Sequence, residues 1–249
     1  MIIFIIIFSL CLGSFANVLI YRIPLDISII RPGSFCPACK NKIKWYHNIP
    51  LISYFLLRGK CGYCRNEISV QYPAIETLTA LAISSVFLFF ASLGDTPGFL
   101  IYAVFTFILI VVAGIDFKHS IIPDIISIPL LLTGLALSPF NLSVGQTVLY
   151  RIANSISGIV AGSAILIFIS YLGKICFKKE AMGEGDIKLL AAIGAFLGWK
   201  KIFLVLLLGS MAGTLYSFVL IYLLKTKKWG DYLPFGPFLA FGAFLSIFL

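Results

Sequence analysis

The chain has 249 residues, 60% of them hydrophobic and 12% charged, with a mean hydropathy of +1.05 and a formal net charge of +9. Soluble domains of this length carry about 25% charged residues, so the composition excludes a soluble globular enzyme and describes a polytopic membrane protein. The positive balance does not call for a nucleic-acid partner, and none is expected, because the basic residues sort by loop as membrane topology requires.

Apolar runs predict eight spans, over residues 1–20, 74–93, 98–115, 121–139, 150–172, 187–199, 202–224 and 233–249. The fold expected is all-α, a membrane bundle of about eight helices with one small loop domain. The first run lacks a basic stretch before it, which argues for a retained helix rather than a cleaved signal peptide. The sixth run is short for a ~30 Å hydrocarbon core and is expected to be tilted, half-buried or continuous with the preceding loop. Sixteen Lys and Arg fall in alternate loops, Lys178, Lys179 and Lys227 among them, and only Arg151, Lys200 and Lys201 fall on the other side. By the positive-inside rule the N-terminus is outside and the basic loops face the cytoplasm, where they can also attract anionic lipid.

The segment 21–73 is the one stretch long and polar enough to form a separate cytoplasmic element. It carries Cys36-Pro-Ala-Cys39 and Cys61-Gly-Tyr-Cys64, with 21 residues between the pairs. Two C-x-x-C turns at this spacing suit a tetrahedral Zn²⁺ site, and a reducing compartment disfavours disulfides. Four sulfur ligands leave no open position for water, so the zinc is expected to be structural and to supply folding energy to a loop with little core. Independent redox pairs or unliganded cysteines are the alternatives. Cys11 and Cys176 are expected to be packing residues or lone thiols.

The chain has ten acidic residues, and two of them sit at predicted membrane boundaries on the same side. Asp116 follows the third span in G-I-D-F-K-H-S-I-I-P-D, and Asp186 opens the sixth in G-E-G-D-I-K. A carboxylate at such a boundary is costly unless hydrated, paired or functional. If their helices share a bundle, the two side chains can converge and share a proton, one acting as general base toward water while the other polarises a carbonyl and protonates the leaving amine. Gly183 and Gly185 let the backbone bend and let another chain come close. The plain alternatives are that Asp186 caps the following helix and that Asp116 is an ordinary interfacial residue. Lys118 and Lys188 each follow an aspartate by two positions and point away from it on a helix, which makes them anchors or partners of lipid or substrate rather than ion-pair partners of those aspartates. Asp124, after Pro123, rivals Asp116 but suits a helix-capping role.

Taken together, these residues resemble the bacterial type IV prepilin peptidase family, also called leader peptidase/N-methyltransferase. The resemblance rests on Gly13–Pro24 (G-S-F-A-N-V-L-I-Y-R-I-P), the paired cysteines, Gln71–Glu76 (Q-Y-P-A-I-E), Asp116–Asp124 and Gly183–Gly194 (G-E-G-D-I-K-L-L-A-A-I-G), and it covers nearly the whole chain. It implies an aspartic endopeptidase of the bacterial inner membrane, active on the cytoplasmic side. Such an enzyme cuts the short basic leader of type IV prepilins or pseudopilins after a Gly, then methylates the new N-terminus with S-adenosylmethionine. The family's catalytic aspartates fall on Asp116 and Asp186, its G-x-G-D glycines on Gly183 and Gly185, and its four cysteines on Cys36, Cys39, Cys61 and Cys64; Lys118 and Lys188 are this chain's own candidates for support of the site. The implied division is a first helix at 1–20, a cysteine loop with the methyltransferase region at 21–73 and a peptidase core at 74–249.

No G-x-G-x-x-G follows a strand, so nothing marks a nucleotide fold for the cofactor. Asn17, Arg22 and Glu76 are candidates by position, polar groups near the cytoplasmic boundary that are either helix–helix glue or part of a site. Two competing readings remain: a peptidase without methyl transfer, and an ion or metal transporter with paired carboxylates. The transporter reading predicts carboxylates at mid-bilayer and an internal repeat.

Overall fold

The computed structural model describes residues 1–177, 182–226, 228 and 232–249. Lys178, Lys179 and Lys227, counted above among the basic-side charges, lie outside the described residues. The described residues are helical, with no β-sheet, and divide into two compact units, Met1–Phe89 and Phe90–Leu249. Five helices among them are long and apolar enough to cross a membrane.

The first unit begins with α1 (Ile2–Arg22), a single apolar helix that buries one stripe, Ser9, Gly13, Ala16, Asn17 and Ile20, together with Arg22 at its end. Pro24 follows in a tight turn, Ile23–Leu25, and ends the helix because it cannot donate to the ladder. The cysteine loop comes next and contains one helical turn, α2 (Ile52–Leu56). α3 (Gln71–Leu93) then runs back along α1. The two backbones touch: a Cβ on Gly13 would lie 2.6 Å from Cα of Glu76. Small residues permit this approach, and Asn17 reinforces it by donating from Nδ2 to the carbonyl of Tyr72 at 3.1 Å.

The second unit is a bundle of α4 (Thr96–His119), α5 (Asp124–Leu137), α6 (Val148–Phe177), α7 (Glu184–Leu197), α8 (Trp199–Phe218) and α9 (Gly236–Leu245). A π-helical turn, Val219–Leu223, extends α8. α7 is its axis, packed against α5, α6, α8 and α9, and Leu189 to Leu197 are all buried. At 14 residues it spans only about 21 Å, and burial on all sides is how a short helix lives in an apolar bundle. The expected start at residue 187 is corrected to Glu184, so Asp186 lies within the first turn of the helix. The last span, expected over 233–249, shortens to ten residues because Pro237 initiates it.

Two devices fix α7. Gly158 and Gly194 meet backbone to backbone, and a Cβ on Gly162 would lie 2.6 Å from the carbonyl oxygen of Leu190, so any side chain there would separate α6 from α7. At its far end, Tyr102 Oη and Asn141 Nδ2 both donate to the carbonyl of Phe196, at 3.2 and 2.9 Å, and Ser155 Oγ donates to that of Ala195 at 2.8 Å. These bonds satisfy the orphan carbonyls at a buried helix C-terminus. A ladder of rings, Phe90, Tyr102, Phe105 and Phe196, packs around them.

Candidate active site

Alternation of helix direction brings the C-terminus of α4 and the N-termini of α5, α7 and α9 to one end of the second unit. Asp116 lies in the last turn of α4 and Asp186 in the first turn of α7. Both are buried, at 3% and 6% exposure, and the charge of Asp116 acts directly on Asp186. Ile122, from the turn between α4 and α5, packs beside Gly185 and Gly236 at this end. It fills the notch left by Gly185, where a Cβ would lie 2.8 Å from Cβ of Ile122, and its Cδ1 lies 3.1 Å from where a Cβ on Gly236 would stand.

Each carboxylate is held by backbone. Asp116 Oδ2 accepts the N–H of Gly236 at 2.9 Å, the first residue of α9. Gly236 is required there: a Cβ would lie 2.6 Å from that same oxygen. Nothing local marks Gly236 beyond a G-P that opens a helix. Asp186 takes the backbone N–H of Gly183 on one side, while its Oδ1 is buried with no partner among the described residues. The capping alternative for Asp186 is therefore half the story, and the second oxygen is left for a proton, a water or a substrate. An unpaired buried carboxylate oxygen costs several kcal/mol, roughly, so its retention needs a reason. Tyr232 lies near enough to both aspartates to feel their charge, and it too went unmarked in the sequence.

At Gly185 the close approach is made by Ile122. Gly183 faces Asp186 instead. Lys188 is an ion-pair partner after all, across helices rather than along its own: Nζ lies 2.7 and 2.8 Å from the two oxygens of Asp124. Asp124 is correspondingly not a side-chain cap. It is the first residue of α5 after Pro123 and bridges to α7. The pair is part-exposed and binds the α5 and α7 N-termini together beside Asp186. Lys118 is exposed in the last turn of α4.

In the first unit the cysteine loop folds as two copies of one turn, 25 positions apart. In the first copy Cys36 N–H donates to Asn41 and Lys40 N–H to Cys36, at 3.0 and 2.8 Å. In the second, Cys61 donates to Asn66 and Arg65 to Cys61, at 2.8 and 3.0 Å. Lys40 and Arg65 close the turns with φ of +60° each. The four sulfurs lie within 4.8 Å of one another. Zn–S bonds of about 2.3 Å at tetrahedral angles need sulfurs roughly 3.8 Å apart, so the donor set fits a metal ion. The backbone N–H groups of Cys64 and Tyr63 hold the Cys61 thiol down to about 7, toward the thiolate a metal requires. Cys11 and Cys176 are exposed lone thiols, not packing residues.

The three polar candidates of this unit all tie its pieces together. Asn17 also bonds Gly13 within α1, and its Oδ1 is buried without a partner among the described residues. Glu76 accepts the N–H of Leu51 at 2.8 Å. Arg22 donates to the carbonyls of Ser28 and Gly33 at 2.8 and 3.1 Å and lies over the ring of Phe35.

The molecule is thus of the class of multi-helix membrane proteins with a buried carboxylate pair at one end and a four-cysteine cluster. Two family models match it, the bacterial peptidase A24 N-terminal domain over residues 7–90 and the type IV leader peptidase family over residues 103–218. The chain is 35% identical to a prepilin leader peptidase/N-methyltransferase of Aeromonas salmonicida, over 96% of this chain and 88% of the relative. It is 39% identical to one of Myxococcus xanthus over 92% and 65%, and 31% identical to one of Pseudomonas aeruginosa over 97% and 88%. No solved structure matches it. The chain belongs to the type IV leader peptidase family.

Proposed function

We propose that the protein is a prepilin peptidase of the bacterial inner membrane that removes the short basic leader of type IV prepilins or pseudopilins after a Gly, and then methylates the new N-terminus. The observation that carries the peptidase reading is the nearness of two buried carboxylates at one end of the bundle, one of them with an oxygen that no other described residue satisfies. Both lie at helix ends, not at mid-helix, which disfavours the transporter reading.

Asp116 and Asp186 hold one proton between them and a water. The ionised member takes a proton from the water as it attacks the scissile carbonyl. The protonated member polarises that carbonyl and then gives its proton to the departing amine. The Gly236 N–H fixes the rotamer of Asp116, and the Lys188–Asp124 bridge fixes the approach of α7. Preset geometry of this kind supplies much of a catalytic effect. The positive-inside count supports a cytoplasmic site with the N-terminus outside.

Cys36, Cys39, Cys61 and Cys64 would hold a Zn²⁺ ion whose role is to fold the loop. S-adenosylmethionine would supply an electrophilic methyl group. The acceptor amine must be neutral to attack, and an α-amino pKa near ~8 allows this around neutral pH. That amine exists only after cleavage, so the order is cut first, methylate second.

Co-expression with a prepilin followed by intact-mass analysis tests both steps. Loss of leader mass reports cleavage and the gain of one methyl group reports transfer. Methylated full-length prepilin would overturn the order, and an unprocessed prepilin would overturn the peptidase reading. Cleavage without methyl gain would favour the peptidase that lacks transfer.

A further inference from the structure

The first unit contains a cleft of about 360 Å³ between α1 and the start of the cysteine loop. We propose that this cleft is the S-adenosylmethionine site, an inference that rests on the methyl-transfer reading above. One wall is a stripe of α1, with Phe15, Val18 and Arg22 at the i, i+3, i+7 spacing of one helix face. The other wall is loop, and includes Ile30, Ser34 and Asn48.

The walls are held apart by the chain itself. Arg22 spans the cleft's edge to the carbonyls of Ser28 and Gly33, fixing the loop at a set distance from α1. Ser34 is anchored from behind, its carbonyl accepting the N–H of Ile43 at 2.9 Å within the first cysteine turn. A metal ion held by the four sulfurs would thereby brace one wall from a distance, which would give a closed four-sulfur site a purpose in a methyl-transfer enzyme.

The chemistry of the lining selects the occupant. The volume falls within the range of small-ligand sites, about 300–1,000 Å³. Phe15, Val18 and Ile30 offer apolar surface for a purine. Ser34 and Asn48 offer donors and acceptors for ribose hydroxyls. Arg22 spends two N–H donors on carbonyls and keeps three, enough for the amino-acid carboxylate of the cofactor. A lipid acyl chain would fill the same volume but would desolvate Ser34, Asn48 and Arg22 without replacing their hydrogen bonds, at a cost of order 1–3 kcal/mol each.

The test is binding of S-adenosylhomocysteine to the full chain in nanodiscs, by calorimetry, beside the mass assay for methylation. Val18→Trp and Ser34→Trp fill the cleft from opposite walls. Each is expected to weaken binding at least tenfold with zinc content unchanged. Leu88→Trp, at an exposed position of α3 that does not line the cleft, is expected to bind as the unaltered chain does. If both cleft variants bind normally while the unaltered chain methylates, the cleft is wrong and the methyl-transfer reading stands. If the variants lose co-purified phospholipid and keep S-adenosylhomocysteine, the occupant is lipid and the proposal falls. If the unaltered chain neither binds nor methylates, both fall together.

Discussion

The cysteine loop and the carboxylate pair bind their reacting groups in opposite ways. The loop makes its site from two short turns of the same design, 25 positions apart, each closed by its own backbone hydrogen bonds. Its four sulfurs come from 29 consecutive residues, Cys36 to Cys64, and a metal ion can gather them with little help from the rest of the chain. The pair draws on residues 116, 186 and 236, separated by 70 and 50 positions. Packing alone brings them together, through the glycine contacts of α6 with α7, the notch of Gly185 and the start of α9. A local site tolerates change elsewhere and fails when a ligand goes. A site built by packing fails when any helix moves.

The largest effect should come from the pair itself. Asp116→Asn and Asp186→Asn keep the shape but cannot exchange a proton, and each is expected to lower leader cleavage by about 10³-fold or more while zinc content stays at one per chain. Substantial cleavage by either variant would break the assignment. Gly236→Ala comes next. The added methyl contends with Asp116 Oδ2, and displacement of that carboxylate should cost cleavage roughly 10²-fold with the two aspartates untouched. A fully active Gly236→Ala would mean that the hydrogen bond from α9 is incidental.

Cys36→Ser with Cys61→Ser takes one sulfur from each turn. Metal content, read by elemental analysis, is expected to drop from about one Zn²⁺ per chain to near zero, and limited proteolysis should then cut within the loop. Cleavage should fall by less than it does in Gly236→Ala, since the pair is assembled wholly within the second unit. Retention of full zinc would end the four-thiolate site. The smallest change is expected from Asp124→Asn. Its bridge to Lys188 is part-exposed, with side chains 54% and 38% accessible, and such pairs are worth about 1 kcal/mol or less. Cleavage should drop at most about fivefold, and more so in low salt than in high because screening weakens the bridge already. A dead Asp124→Asn with an active Asp116→Asn would reverse the roles given to the two residues.

Much of this was legible in the sequence, for reasons that are local. Apolar runs of twenty residues have one solution in lipid, so the helices followed from composition. The C-x-x-C pairs carry their geometry in their spacing. Asp116 and Asp186 stood out because a carboxylate beside an apolar run is costly wherever the run packs. The tertiary structure alone decided the rest. Asp124 and Lys188 are 64 positions apart, and nothing local tells a capping aspartate from one that reaches a lysine on another helix. Gly236 reads as an ordinary helix opener until its N–H is seen on Asp116. Gly183 and Gly185 read alike, yet one faces Asp186 and the other is filled by Ile122. Periodicity and spacing report what a residue does to its own helix or turn. Which helix ends share a corner, and which backbone N–H meets which carboxylate there, depends on how bundle helices pack, and no single segment encodes that.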